Sequence, residues 1–228
     1  MENIITPYSI IVTIAVYIFS LFLSKRFPSP LTSPVFISTA IIIFILIKSG
    51  ITFEEYTPAK DIMTFLLGPA TVALAVPIYH NKEVIMKKMF PAVTGLLLGT
   101  ISTIVSALIF VKVFQLSDMI AASVATKSVT TPVAIEATKL IGGDPALAAA
   151  FVMVTGLFGA MLGPWIMNIS RITDPFARGL ATGTVAHGFG TAQIAMEGPL
   201  QGAVSGAAMG FAAIITSFIL PWLFPLMF

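Results

Sequence analysis

The chain has 228 residues, 57% of them hydrophobic and 10% charged, with a formal net charge of +2 and no cysteine. That balance excludes a soluble globular domain, a basic nucleic-acid face, disulfides and thiolate metal sites. At about 20 apolar residues per crossing helix, the apolar segments predict an all-α polytopic membrane protein with roughly seven or eight transmembrane or part-crossing segments.

Met1-Glu2-Asn3 lacks the basic stretch of a cleavable signal peptide, so the first apolar run is expected to persist as a helix. Pro7 to Leu23 is that helix, ended by Lys25-Arg26 and by Pro28 and Pro30, and Pro34 to Ile47 is a shorter second one closed by Lys48-Ser49-Gly50. Of the 17 glycines only Gly50 precedes residue 61, which suggests scaffold helices over 1–60 and a tightly packed core over 61–228, all within one membrane domain. Thr52 to Lys60 reads as a polar loop. From Asp61 to Tyr79 the apolar run is interrupted at Gly68-Pro69 and closed by Pro77, so a straight helix would lose a backbone bond near its middle. Ala92 to Val113 reads as a full-length helix with a small-residue face at Gly95 and Gly99. Gly159 with Gly163, and Gly202 with Gly206 and Gly210, repeat that device further on.

The most informative stretch is Ala125-Thr126-Lys127-Ser128-Val129-Thr130-Thr131-Pro132, a cation, four hydroxyls and a helix-breaking proline within an apolar run. Fifty-six residues later it returns as Ala181-Thr182-Gly183-Thr184-Val185-Ala186-His187-Gly188, with Gly142-Gly143 and Gly198-Pro199 at matching offsets. Two copies of a unit with a broken, polar centre have the form of the paired discontinuous helices that build a solute site near the bilayer midplane. Pro132, Gly188 and Gly190 are the expected break positions, with Gly68 and Pro69 marking a third, looser copy. The basic clusters Lys25-Arg26, Lys82/Lys87/Lys88 and Arg171/Arg178 should face the cytoplasm. The last does so only if the segment around Lys127 enters and leaves on one side, or if there is one further part-crossing.

A lysine at membrane depth is costly unless it is paired or faces a cavity. Lys127 therefore meets a substrate anion, pairs with Glu136, or snorkels to an interface. Ser128, Thr130 and Thr131 either join free amides of a half-helix in an anion pocket or merely satisfy a kink. His187 is a proton carrier or a structural residue hydrogen-bonded across helices. His80, beside Tyr79, reads as incidental, Arg178 and Asp174 as interface residues, and Glu197 as a helix-end marker. No nucleotide loop, catalytic dyad or triad, or zinc-ligand set is visible, so neither an enzyme nor a cofactor or metal is expected.

Three runs carry a family likeness: Leu67 to Tyr79 (LGPATVALAVPIY), Lys127 to Ala134 (KSVTTPVA), and His187 to Ala192 (HGFGTA) followed by Glu197-Gly198 and Gly202-Ala203. With them the chain resembles the LrgB/CidB family of antiholin-like membrane proteins, whose plant relatives form the C-terminal part of a plastid glycolate/glycerate translocator. It departs from the family pattern at Ala186, where serine is frequent, and at Gln201, where an acidic residue is frequent. The resemblance implies two functions. One is transport of small monocarboxylates such as pyruvate, glycolate or glycerate in a bacterial inner membrane, with an LrgA/CidA-type partner. The other is regulation of murein hydrolase activity and lysis without transport. On the transport reading Lys127, Ser128, Thr130, Thr131 and Thr191 bind the carboxylate, and His187 and Glu136 carry a coupled proton. The small-residue faces also make a homo-oligomer an expectation.

Overall fold

The computed structural model describes residues 2–27, 29–66, 69, 72–73 and 75–228, and among these all regular structure is helical. In chain order the helices are α1 (Glu2–Arg26), α2 (Pro34–Ser49), α3 (Phe53–Phe65), α4 (Ala75–His80), α5 (Lys82–Lys87), α6 (Met89–Val113), α7 (Asp118–Ala125), α8 (Thr131–Leu140), α9 (Pro145–Ile169), α10 (Pro175–Ile194) and α11 (Pro199–Met227). By length and composition α1, α6, α9 and α11 can each cross a membrane, and α2 is a shorter apolar helix. The chain divides into two compact units, Met1–Val76 and Pro77–Phe228.

In the first unit α1 packs against α2 and α3. Its contact face contains no glycine; the fully buried Ser9 and Ser20 give the small profile instead. The Ser20 hydroxyl donates to the Val16 carbonyl, and Thr13 Oγ1 lies 3.3 Å from the Tyr56 hydroxyl of α3. The polar stretch Thr52–Lys60 is not the loop its composition predicts. Thr52 caps α3 by accepting from the Glu55 N–H, and Glu55 accepts in return from the Thr52 N–H at 2.8 Å, so a capping box starts a helix there. The break expected at Gly68 and Pro69 falls on a stretch, 67–74, of which only 69, 72 and 73 are described, and Gly68 lies outside the described residues.

The second unit is a bundle of three long helices with two helical hairpins inserted into it. Pro91 falls in the first turn of α6, where its missing N–H has no partner to lose. Asp-Pro pairs start two other helices: Asp144 accepts from the Leu147 N–H at 2.7 Å ahead of α9, and Asp174 from the Ala177 N–H at 2.8 Å ahead of α10.

Helix directions follow from close contacts. Positions 95 and 99 of α6 meet Leu180 and Thr184 of α10, so α6 and the first half of α10 run parallel. Positions 179 and 183 of α10 meet Gln201 and Ser205 of α11, so α11 shares that direction, whereas positions 156 and 159 of α9 meet His187 and Ala186 in the opposite sense. Two apolar clusters fill the bundle. Ile104, Leu108 and Val111 of α6 pack with Ala121, Ala122 and Ala125 of α7 and with Leu220 and Phe224 of α11. Val129, Ala134, Val152 and Ala213 form the second cluster.

Candidate functional site

The two copies of the polar repeat are two hairpins entering the bundle from opposite ends. The first leaves the end of α6, runs in as α7, breaks over 126–130, and returns as α8 to the start of α9. Ser123 of α7 accepts from the Asp144 N–H at 2.8 Å, so the entering arm lies beside the residue where α9 begins. Across the hairpin Thr126 Oγ1 and Thr138 Oγ1 are 2.9 Å apart and both are fully buried. The segment around Lys127 thus enters and leaves at one end of the bundle, one of the two conditions that place Arg171 and Arg178 on the same side as Lys82, Lys87 and Lys88.

The second hairpin is α10. His187, with φ 39° and ψ −134°, reverses the chain at its centre. Arg178 proves the reversal: its Nε and Nη2 donate to the two carboxylate oxygens of Glu197 at 2.7 and 2.6 Å. Nineteen residues of continuous helix would separate them by about 28 Å. Arg178 Nη1 also donates to Asn168 Oδ1 and to the Ile172 carbonyl, both at 2.9 Å, so the guanidinium joins both arms to the end of α9. Arg178 is 7% exposed at the mouth of the hairpin, and Glu197, which follows the returning arm, is its ion-pair partner as well as a residue at a helix end. Sequence reasoning missed this pair, although the two lie nine residues before and ten after His187 and a hairpin centred there brings them together.

The tips bear on the same turn of α9. His187 Nε2 lies 3.0 Å from the Val152 carbonyl oxygen, and because a carbonyl only accepts, Nε2 carries a proton. Val129 of the first tip shares a buried apolar cluster with Val152. Thr191 Oγ1 donates to the His187 carbonyl at 2.8 Å and lies 2.9 Å from Ser205 Oγ, so this hydroxyl ties the second tip to α11.

Lys127 Nζ donates to Ser128 Oγ at 3.2 Å, and among the described residues no carboxylate lies within ion-pair distance of it. The pairing with Glu136 that a fold-back would allow does not form. Glu136 pairs with Lys139 at 2.7 Å on the exposed side of α8, because one helical turn separates them. The two residues line different cavities, each of about 360 Å³: Lys127 one between α6, α7 and α9, Glu136 one with Pro132 and Ser217. Glu136 is thereby removed from both Lys127 and the second tip. Thr130 is the N-cap of α8 without a side-chain cap bond, and Thr131 and Pro132 are its first two residues. The break therefore precedes Pro132 and includes Lys127 and Ser128. In the second copy it falls on His187; Gly188 follows the reversal, and Gly190 packs against Thr182 of the opposite arm, so neither glycine is itself the break.

The mouth of the second hairpin carries a further ion pair, Lys88 with Asp174 at 2.8 Å, both about half exposed. The Lys88 ammonium, and after it the Ala177 N–H, hold the Asp174 carboxyl below its ordinary range.

The chain matches the LrgB-like family over residues 13–226. It is 36% identical over 218 residues to the uncharacterized protein YxaC of Bacillus subtilis strain 168, covering 94% of this chain and 95% of that protein. It is 33% identical over 219 residues to YwbG of the same strain, covering 96% and 97%. It is 30% identical over 213 residues to the holin-like protein CidB of Staphylococcus aureus strain N315, covering 93% of each. No solved structure matches the chain.

Proposed function

The chain belongs to the LrgB-like family, and from that premise and the two opposed hairpins we propose that it is a carrier of small monocarboxylates, of the pyruvate, glycolate and glycerate class, in the bacterial cytoplasmic membrane. The observation that carries the reading is Lys127: a cation at the tip of a broken helix, largely withdrawn from the surface, bonded to one hydroxyl and without a counter-ion among the described residues. Such a charge is costly in the bilayer unless an anion visits it. Ser128 holds the ammonium in place, and the first turn of α8 at Thr130 and Thr131 adds a positive dipole end at the same break. Paired tips reached from opposite ends, meeting on one turn of α9, provide the geometry in which a solute is exposed to either side in turn.

His187 is the proton-carrying candidate. Its Nε2 proton is committed to Val152, so uptake of a second proton would occur at Nδ1 and alter the contact of the tip with α9. The hydroxyl groups of Thr191 and Ser205 support the histidine, which assigns Thr191 to positioning the tip. An LrgA/CidA-type membrane protein is the natural partner, and self-association is the second assembly to examine.

The test is uptake of labelled pyruvate and glycolate into liposomes holding the purified chain, with and without a proton gradient. Saturable uptake that is lost in Lys127→Ala, with insertion intact, supports the carrier; undiminished uptake in that variant removes Lys127 from the site. His187→Gln should change the pH profile of uptake, and an unchanged profile ends its proton role. The name of the holin-like relative favours one other reading, a regulator of murein hydrolase activity that transports nothing. That reading gains if uptake stays absent when the partner is supplied and lysis control survives Lys127→Ala.

A further inference from the structure

We propose that Gly156 of α9 is the positioning residue for His187. The notch left by its missing side chain seats the imidazole on the Val152 carbonyl and thereby decides which ring nitrogen takes up the coupled proton; this rests on the proton role given to His187 above. A Cβ at position 156 would stand 2.5 Å from His187 Cε1, 2.7 Å from His187 Nε2 and 2.6 Å from Phe189 Cδ2, so the two rings occupy the space of a side chain. In a helix the side chain of a residue covers the turn before its own Cα. Position 156 therefore governs access to the carbonyl four residues back, that of Val152, which His187 Nε2 reaches at 3.0 Å. A carbonyl oxygen has two lone pairs, so it accepts from the imidazole without leaving the hydrogen-bond ladder of α9.

The backbone agrees with a seated ring. Residue 187 has φ 39°, a value that favours glycine, yet the glycine stands one position later, at 188, where φ is not positive. Histidine thus holds the strained place beside a residue that would adopt it freely, which ties the reversal to the imidazole. Phe189 closes the seat edge-on, with ring centroids 5.7 Å apart and planes at 69°. With the Nε2 proton on Val152, Nδ1 is the nitrogen left to accept another. Of the helices packed on α10, α9 and α11 carry no ionisable side chain and α6 only Lys112, in its last turn. The remaining charges on the two hairpins nearest the tips are Arg178, at the mouth of the second, and Lys127, on the first. The seat, not a neighbouring carboxylate, therefore sets the tautomer.

The chain has two histidines, so the full-length protein carrying His80→Gln leaves His187 as the one imidazole seen by nitrogen NMR of labelled histidine in liposomes. His187 is expected as a single tautomer with its proton on Nε2. Gly156→Ala should lower the excess of that tautomer about fivefold, the worth of one hydrogen bond, and should move the pH midpoint of pyruvate uptake. Gly159→Ala is the control. Its Cβ would meet Ala186 Cβ at 2.5 Å, so it strains the same tip without touching the ring. It should lower thermal stability as Gly156→Ala does and leave the tautomer unchanged. Should Gly156→Ala fail to fold, Phe189→Ala, which opens the other wall of the seat, should shift the tautomer in the same direction by less. An unchanged tautomer in whichever of these two variants folds, or an equal change in Gly159→Ala, overturns the seat. A changed tautomer with an unmoved pH profile keeps the seat and overturns the proton role of His187. A changed tautomer in protein that takes up no pyruvate keeps the seat and overturns the carrier.

Discussion

The two hairpins descend from one repeated pattern and use charge in opposite ways. In the first, the arms are held by uncharged contacts, Thr126 with Thr138 and the Asp144 amide on Ser123, and Lys127 at the tip has no counter-ion among the described residues. In the second, the charge is at the mouth, where Arg178 and Glu197 clamp the arms together, and the ionisable tip residue is committed to a backbone carbonyl. A buried charge bonded on all sides fixes structure, whereas one left without a partner is available to a ligand. The difference leaves an uncompensated cation on the first hairpin and a charged clamp on the second.

The largest test of this division is Arg178→Ala, which removes the guanidinium bonds to Glu197, Asn168 and the Ile172 carbonyl and should cost about 3 kcal/mol of stability. Thermal unfolding in detergent would show it, and adding Glu197→Ala should restore part of the loss. Lys127→Met should leave the melting temperature unchanged or raise it; a comparable fall in the two variants would erase the contrast. Gly183→Ala comes next. A Cβ there overlaps the Ser205 carbonyl, so a loss of about 1 to 3 kcal/mol is expected, against little change for Gly210→Ala, where nothing lies within 4 Å. Thr126→Val removes the hydroxyl link between the arms of the first hairpin and should cost about 1 kcal/mol in the same unfolding assay.

The smallest effect is on the acid limb. Asp174 has a folded pKa below its unfolded value, so its contribution is present above the unfolded pKa, near 3.9, and is lost as pH falls through the lower folded value. Because both partners are half exposed, screening leaves only a small change, and Asp174→Asn should slightly flatten the loss of stability below about pH 4.

The all-helical class, the long spans and the repeat were legible because each follows from hydropathy or from local identity along the chain. The reversal at His187 was not. A kinked crossing helix and a hairpin share one pattern of apolar residues, and only a contact between residues far apart in sequence distinguishes them. Arg178 and Glu197 supply that contact, nineteen positions apart. Lys127 was legible as an unusual charge, but its separation from Glu136 depends on the hairpin returning as α8 with Glu136 outward. The helix over Phe53–Phe65 was hidden by polarity: two glutamates and a lysine argue for a loop until Thr52 and Glu55 are recognised as a capping box. In α1, serine gives the close-packing face that glycine gives later, a substitution that glycine counting overlooks.

At positions 179 and 183 the backbone of α10 rests directly against the backbone of α11, with the Gln201 and Ser205 carbonyl oxygens where side chains would otherwise intervene. A methyl added at either position meets fixed main chain rather than a side chain that can turn away, so the spacing between the entering arm and α11 is set by backbone alone. One methyl at Gly183 wedges the two elements apart along their whole shared length, whereas one at Gly210 meets open space.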